Sequence, residues 1–214
     1  MVRIADHKWE PDEIMSLNTA SLLEAMARAV IANTTELTAL DSAIGDADHG
    51  LNMKRGFEAA LSERAEILAH SLPDAAKALG YTLVMKIGGA SGPLYGTLFM
   101  TLGKELKVDP SVADLGRSLL AAGEAVSSRG RAAPGCKTIL DVLVPVAVHV
   151  ASGTATIASV RQLAARSAQA TIPMKALRGR ASYLGDRSIG HMDPGARSCE
   201  LLIDAVCDVL EQAP

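Results

Sequence analysis

Three aspartates and a histidine lie close together in the segment 40–52, between two apolar stretches with helical periodicity. Asp46 and Asp48 are two residues apart, so an extended loop places both carboxylates on one side. Gly45 permits a turn that returns Asp41 to that side. Carboxylates this close repel one another, and a hard cation such as Mg²⁺ removes the conflict because it binds carboxylate oxygens. The segment is a candidate metal site, with a solvated acidic loop as the alternative.

A calcium-binding EF-hand does not explain these acids. Such a loop needs a carboxylate at its twelfth position. That position is Phe57 for a loop that starts at Asp46, and Asn52 for one that starts at Asp41. The EF-hand interpretation is therefore excluded.

A glycine-rich loop, residues 87–93, ends one helical stretch and precedes the next, with Pro93 near the start of the second. Backbone amides without bulky side chains, opening onto a helix N-terminus, form an anion site. The alternative is a tight turn between helices that needs glycine for positive φ.

The segment 130–138 nearly matches the phosphate loop of nucleotide hydrolases, G-x-x-x-x-G-K-[ST]. Cys136 is one residue too many, and the residues before Gly130 belong to a helical pattern rather than a buried strand. The motif requires a strand, a loop and a helix in that order. We exclude a Walker site, and Lys137 and Thr138 remain candidates to face a ligand.

The segment 177–195 is long, lacks periodicity and is rich in Arg and Gly. Loops of this length are uncommon in compact domains unless they serve a function. Arg180 could bind two phosphate oxygens with its guanidinium. The alternative is a surface ion pair between Arg180 and Asp186.

The composition limits the function classes. Hydrophobic residues make up 49% of the 214 residues but aromatics only 3%, which indicates an aliphatic core in one domain spanning 1–214. A net charge of −3 without long Lys/Arg runs predicts no nucleic-acid binding. Three cysteines without a CxxC pair favour a reducing, cytoplasmic location. No signal peptide is apparent, and charge, proline and glycine interrupt the apolar run 81–102, so no membrane span is expected.

Helical periodicity and capping residues recur along the chain. Asp109-Pro110 and Asp193-Pro194 each predict an N-cap followed by proline at the first helical position. Gly130 is expected to stop the helix that starts at Asp109, and Pro145 to kink the next one. Other helices are expected at about residues 12–39, 50–68, 73–86, 93–106, 139–150 and 156–175. The prediction is an all-α fold, an antiparallel bundle or closed barrel of seven or eight helices.

In an up-and-down arrangement of helices, alternate loops gather at one end. The loops at 41–52, 88–93 and 130–138 could then meet the segment 180–195. Carboxylates for metal, amides for phosphate and an arginine for charge would form one nucleotide–Mg²⁺ site. This convergence is the main functional prediction from the residues alone.

The chain resembles the L subunit of bacterial dihydroxyacetone kinases, a module that also forms the nucleotide domain of single-chain dihydroxyacetone kinases. The matching blocks are Ala43-Ile44-Gly45-Asp46-x-Asp48-His49-Gly50-x-Asn52, Gly88-Gly89-Ala90-Ser91-Gly92-Pro93-Leu94-Tyr95-Gly96-Thr97, Lys137-Thr138-x-x-Asp141, Gly179-Arg180-Ala181-Ser182-Tyr183-Leu184-Gly185 and His191-Met192-Asp193-Pro194-Gly195. Three positions depart from the family pattern. Ala47 replaces a usual Gly, Cys136 replaces the Asp expected before Lys137, and Ile139 replaces a common Met.

The resemblance implies an eight-helix antiparallel up-and-down barrel with nucleotide bound in the loops at one end. It implies that Asp41, Asp46 and Asp48 hold two Mg²⁺ ions that bridge the phosphates of ADP or ATP. The residues implied to contact the nucleotide are His49, Gly50, Leu51, Asn52, Ala90, Ser91, Gly130, Ile139, Arg180, Asp193, Pro194 and Gly195.

The resemblance also implies partners. No general base is expected on this chain, because the acceptor sugar is held covalently by a histidine of a partner K subunit. ADP could remain bound as a coenzyme, recharged by a phosphohistidine on an M subunit of the phosphotransferase system. Alternatively, ATP exchanges from solution, with dihydroxyacetone or a related ketose such as erythrulose as acceptor. A different possibility is a nucleotide-sensing regulator that docks on a transcription factor.

Overall fold

Ten α-helices and one 3₁₀ helix form along residues 18–212, the part of the chain that the computed structural model describes. The all-α prediction is confirmed. The α-helices, in chain order, are α1 (Thr19–Ala32), α2 (Thr34–Ile44), α3 (His49–Ser62), α4 (Arg64–Leu68), α5 (Leu72–Lys86), α6 (Ser91–Glu105), α7 (Val112–Gly130), α8 (Leu140–Ala151), α9 (Ile157–Ala170) and α10 (Pro194–Glu211), and the 3₁₀ helix is Arg180–Ser188.

Eight of the helices form a closed ring. Each packs against the next in the order α1, α3, α5, α6, α7, α8, α9, α10, and α10 packs back against α1. Successive members run in opposite directions: α3, α6, α8 and α10 begin at the end of the ring where α5 and α7 finish. The predicted eight-helix barrel is confirmed. Two further helices lie outside the ring, α2 against α3 and the 3₁₀ helix, and α4 against α5.

The barrel core is aliphatic, as the composition indicates. Leu, Val, Ile and Ala from all eight ring helices join in one buried cluster, in which Tyr95 and Phe57 are the largest fully buried side chains. The tightest helix pair is α5 with α6, where a Cβ on Gly96 would overlap the side chain of Val84. Small residues at that crossing let the two backbones approach closely.

Several predicted helix boundaries are wrong. The stretch 12–39 divides at Asn33, whose backbone and side-chain amides both donate to Ala29 O, and residues 12–17 lie outside the described range. The stretch 50–68 divides at Glu63. The helix expected from Asp109 begins at Val112 instead. Its N-cap is Ser111, which exchanges hydrogen bonds with Asp114 in a capping box.

Smaller corrections concern the other ends. The helix expected from Pro93 begins two residues earlier, at Ser91, and the one expected over 156–175 ends at Ala170. Pro145 lies inside α8, and the kink expected there stays a prediction. The segment expected to be an irregular loop contains the 3₁₀ helix.

The end of the barrel formed by the N-terminal halves of α1, α5 and α7 and the C-terminal ends of α6 and α10 is apolar. It contains a cavity of about 150 Å³, lined mainly by aliphatic residues together with Met26, Phe99 and Thr19. Examples of its lining are Leu22, Leu79, Leu106 and Leu210. Among residues 18–212, no helix combines the length and apolarity that crossing a bilayer would require.

Candidate nucleotide and metal site

The acidic segment lies at the opposite end of the barrel, between α2 and α3. Asp41 belongs to the last turn of α2, and its Oδ2 accepts the backbone N–H groups of Asp48 at 2.8 Å and His49 at 3.1 Å. A Cβ at Gly45 would overlap the Asp41 carboxylate, so this tight turn requires glycine. Ala47 has a φ of 63°, a left-handed conformation that favours glycine at this position.

The three aspartates fit a divalent cation. One carboxylate oxygen from each of Asp41, Asp46 and Asp48 lies within 4.8 Å of the others. Asp41 is 8% exposed and is oriented by two backbone amides, whereas Asp46 is exposed. Anionic oxygens from a short loop are the ligands that Mg²⁺ prefers, and it usually takes only a few of them, with water and substrate phosphates as its other ligands.

His49, the first residue of α3, connects three helices. Its Nδ1 lies 2.9 Å from Ser91 Oγ at the start of α6, and its Nε2 lies 2.9 Å from Ser198 Oγ on α10. Burial lowers the pKa of His49, although the nearby Asp41 and Asp48 carboxylates oppose that shift. The lowered pKa favours the neutral imidazole, in which one ring nitrogen donates and the other accepts.

A second set of hydrogen bonds continues from this histidine. Tyr95 Oη lies 2.6 Å from Ser198 Oγ and 3.3 Å from Gly195 O. Ser198 Oγ also donates to Gly195 O at 3.1 Å. These bonds fix the first turn of α10 against α3 and α6, so the loops that precede those helices hold a constant spacing.

Arg180 forms an ion pair with Asp46, with 3.0 Å between Nη2 and Oδ2. The predicted alternative, a pair with Asp186, is wrong, because Asp186 pairs with Lys175 at 2.8 Å. The Arg180 side chain is 66% exposed. It therefore bridges the segment 177–195 to the acidic loop while keeping donors available to a ligand.

These elements surround one cavity of about 160 Å³. The predicted site residues that line it are Asp41, Asp46, Asp48, His49, Ala90, Ser91, Ile139, Arg180, Asp193, Pro194 and Gly195. Gly130 lines an adjoining cavity of about 390 Å³, which shares Leu94, Ile139 and Arg178 with the first. The two adjoin as one cleft, with the aspartates in the first part and both aliphatic residues and the arginines Arg129 and Arg178 in the second.

Three predicted residues do not line this cleft. Gly50 packs on the backbone of α2 at Thr34, and Leu51 turns outward with 54% of its surface exposed. Asn52 is buried beneath Gly88. Their predicted contact with the nucleotide has no support from the side chains.

Comparison with known proteins places the chain in a family. The profile of the DAK2 domain matches residues 43–208, which is most of the sequence. The chain belongs to the DAK2-domain family.

Among relatives of this DAK2 domain is the "PEP-dependent dihydroxyacetone kinase, ADP-binding subunit DhaL" of Escherichia coli (strain K12). It is 41% identical over 196 residues, which cover 86% of this chain and 93% of that protein. The corresponding "PEP-dependent dihydroxyacetone kinase 1" subunit of Listeria innocua is 42% identical over 177 residues, covering 81% and 86%.

The fold also matches a crystal structure of the dihydroxyacetone kinase from C. freundii in complex with AMP-PNP and Mg²⁺. The TM-score is 0.70 at 23% identity. The match covers 97% of this chain and 36% of that chain, so the DAK2 domain here corresponds to about a third of that structure.

Asp193 caps α10 of this DAK2 domain, as predicted. Its Oδ2 accepts the Ala196 N–H at 2.7 Å, and its own N–H donates to Thr171 Oγ1 at 3.1 Å. Burial raises the pKa of Asp193 to about 7, with a smaller contribution from the charge of Asp141. The carboxyl group is therefore partly protonated near neutral pH.

Lys137, a candidate to face a ligand, does line the cleft, but its ammonium group already donates to three carbonyl oxygens. Lys137 is 1% exposed and donates to the carbonyl oxygens of Met174, Ser188 and His191. Burial lowers its pKa, and the charge of Asp193 opposes that shift. Thr138 lines the cleft, and its backbone N–H donates to Asp141 Oδ2.

Sequence reasoning also missed Arg178 and Leu94. Both line the cleft where its two parts join. Arg178 donates from Nε to Arg131 O at 2.6 Å, which ties its segment to the end of α7. Leu94 was part of a matching block, but nothing in its spacing distinguishes a ligand contact from a core position. Cys136, one of the departures from the family pattern, is a half-buried free thiol.

Proposed function

We propose that this chain is the ADP-binding, phosphoryl-transferring subunit of a dihydroxyacetone kinase or of a kinase for a related ketose. The observation that carries the proposal is the shared cleft: three aspartates, the start of α6 and Arg180 face one cavity. Its relatives from E. coli and L. innocua have the same subunit role in their names. We further propose that residues 1–214 act as one nucleotide-binding domain in the cytoplasm.

In this proposal Asp41, Asp46 and Asp48 hold two Mg²⁺ ions. Bound there, the ions would neutralise phosphate charge and hold the phosphates in line for transfer. The Asp48 and His49 amides orient the Asp41 carboxylate in advance. Arg180 would exchange part of its contact with Asp46 for a phosphate oxygen, a geometry that a guanidinium fork suits.

The nucleotide would follow the cleft from this acidic end. Its phosphates would lie beside Ser91 and the loop before α6, and the first turn of α10 would close the opposite wall. Ile139 and the adjoining cavity near Gly130 offer apolar surface for the base. The proposed nucleotide contacts are His49, Ala90, Ser91, Gly130, Ile139, Arg180, Asp193, Pro194 and Gly195.

We propose that the acceptor sugar is held by a partner K subunit and that a phosphohistidine on an M subunit recharges the bound ADP. Phosphoryl transfer asks mainly for positioning and charge neutralisation, so the nucleotide side needs no general base. Neutral His49 is consistent with this division, because both of its ring nitrogens are already hydrogen-bonded to serines. The alternatives are free exchange of ATP and a nucleotide-sensing role on a transcription regulator.

Reconstitution separates these possibilities. The chain is combined with a matched K subunit, dihydroxyacetone and Mg²⁺, and sugar phosphate is measured with either phosphorylated M subunit or ATP as donor. The coenzyme mechanism predicts sustained turnover with the M subunit and no more than about one turnover with ATP. Sustained turnover with ATP would favour the exchanging kinase. Absence of transfer from both donors, in a chain that binds nucleotide, would contradict the proposal and favour the regulator.

A further inference from the structure

The ammonium group of Lys137 lies inside the protein with three backbone carbonyls around it. Nζ is 3.1 Å from Met174 O, 2.7 Å from Ser188 O and 2.5 Å from His191 O. An ammonium has three donors, so this set uses all of them. No carboxylate of residues 18–212 is among its hydrogen-bond partners, which makes the site a pure carbonyl cage for a cation.

The three carbonyls belong to one segment that lines the nucleotide cleft. Met174 lies before Arg178 and Arg180 in the chain, and His191 lies just before Asp193. A backbone hydrogen bond also joins the two ends of the segment, since Gly190 N–H donates to Ile172 O at 2.8 Å. The Lys137 side chain therefore holds both ends of this segment. The segment forms the cleft wall that carries Arg178 and Arg180, and it leads into the start of α10.

Lys137 is itself held in place. It has a φ of 62° and lies in a turn that the first turn of α8 stabilises. Asp141 accepts the Gly135 N–H at 2.5 Å with one carboxylate oxygen and the Thr138 N–H at 2.7 Å with the other. Next to the lysine, the Cys136 carbonyl accepts Leu177 N–H at 3.1 Å. The position of the cation is thus set by a turn that Asp141 stabilises and that also accepts one hydrogen bond from the segment.

We propose that Lys137 is a positioning residue of the nucleotide site. It holds the segment 174–191 in one arrangement. In that arrangement the segment positions Arg178 and Arg180 on one side of the phosphates and the start of α10 on the other side. This inference rests on the proposed function, because it assigns Lys137 a role in the same cleft. Its direct contact is with the segment, and its effect on the nucleotide passes through the arginines.

The three carbonyl acceptors around Lys137 distinguish a positioning role from a role in packing alone. A methionine of similar length could fill the space but would leave three carbonyls without their donor, and buried polar groups without partners are costly. Those carbonyls would move toward water or other donors, and the segment would move with them. A glutamine keeps one polar donor group and should restore part of the arrangement.

The test uses the variants Lys137→Met and Lys137→Gln, with Lys175→Met as the matched control. Lys175 belongs to the same segment, but its side chain is half-exposed and pairs with the exposed Asp186. Calorimetry gives the dissociation constant for ADP in Mg²⁺ buffer, and hydrogen exchange without nucleotide reports protection along the chain. We expect Lys137→Met to raise the dissociation constant at least about tenfold and to speed exchange in residues 172–192 only. Lys137→Gln should be intermediate and Lys175→Met unchanged.

The outcomes distinguish the possible failures. Wild-type affinity and exchange in Lys137→Met would overturn the inference, and faster exchange spread evenly over the barrel would reduce Lys137 to a general structural residue. If Lys137→Met does not fold, Lys137→Gln decides by the same two readouts. If the wild-type chain binds no ADP, the proposed function fails, while the local exchange effect still tests the link between Lys137 and its segment.

Discussion

The two ends of the barrel are built from the same helices but have opposite chemistry. At one end lie the buried ionisable groups of the cleft, among them Asp41, His49, Lys137, Asp141 and Asp193, each hydrogen-bonded to backbone or side-chain groups. At the other end, aliphatic side chains and Phe99 surround a cavity with almost no polar surface.

This difference separates the sources of function and of stability. Buried charges cost free energy unless they are paired and hydrogen-bonded. At the cleft end, backbone donors and acceptors therefore hydrogen-bond to the buried charged side chains and hold them in place. The apolar end removes hydrocarbon surface from water, which is the dominant favourable contribution to folding. Changes at the cleft should therefore alter ligand binding and transfer, whereas changes at the apolar end should alter the free energy of unfolding.

The largest effect is expected for Asp46→Asn at the cleft. The variant removes one anionic ligand of the proposed Mg²⁺ ions and leaves the core untouched, because Asp46 lies in an exposed loop. Since a metal supplies several kcal/mol of charge stabilisation, phosphoryl transfer to a matched K subunit should fall by roughly 10³-fold or more. Helix content by circular dichroism should be unchanged. Asp186→Asn is the control. Full activity in Asp46→Asn would contradict the assignment of Asp46 as a metal ligand.

At the apolar end, Leu79→Ala should reverse this pattern. Leu79 is buried and lines the apolar cavity, so truncation enlarges a space that the surrounding helices cannot close. The free energy of unfolding in urea should fall by about 2–5 kcal/mol. The dissociation constant for ADP should not change. The exposed Val108→Ala is the control, and a weakened affinity in Leu79→Ala alone would mean that the two ends are coupled.

Arg180→Ala should produce a smaller change, confined to the cleft. Loss of one charge-assisted hydrogen bond to a phosphate would weaken nucleotide binding by about 1.5–3 kcal/mol, or roughly 10- to 150-fold. The free energy of unfolding should change little, because the Arg180 side chain is mostly exposed to solvent and exposed ion pairs contribute little. An unchanged dissociation constant for ADP would mean that Arg180 is a surface residue that does not bind the nucleotide.

The smallest expected difference between the two ends is in how the free energy of unfolding changes with pH. The folded-state pKa of Asp193 is about 7 against an ordinary value of 3.8, so between these values the folded chain binds more protons than the unfolded chain. Its contribution to stability is therefore lost as pH rises through that range. Asp193→Asn keeps the N-cap acceptor but removes the titration.

Urea unfolding without nucleotide at several pH values measures this effect. Relative to wild type, Asp193→Asn should gain stability from about pH 4 to pH 7 and then level off. The difference between Leu79→Ala and wild type should not vary with pH, because no titrating group is removed. Parallel pH curves for Asp193→Asn and wild type would contradict the assigned shift.

The sequence predicted those features whose cause is local. Asp193-Pro194 predicted the start of α10, because an N-cap aspartate and a first-turn proline act within a few residues. The acidic loop was found for the same reason, since Asp41, Asp46 and Asp48 are close in the chain. Periodicity also predicted the helical barrel, and alternating helix directions predicted which loops would share an end.

Other features depend on partners that are distant in the chain. The carbonyls around Lys137 are 37 to 54 residues away, and no local spacing indicates them. Arg180 had a nearby acid in Asp186, yet the folded chain pairs it with Asp46 across the cleft. The capping box at Ser111 also prevailed over the expected cap at Asp109, because it satisfies two groups where the single cap satisfies one.

The loops at one end of the barrel are proposed to form a single nucleotide site occupied with Mg²⁺. The most direct test is to purify the chain in Mg²⁺ buffer, denature it, and identify any released nucleotide by chromatography and mass. We expect about one ADP per chain for wild type and a much smaller amount for Asp46→Asn. A wild-type protein that releases no nucleotide and binds neither added ADP nor added ATP in Mg²⁺ buffer would contradict the proposal.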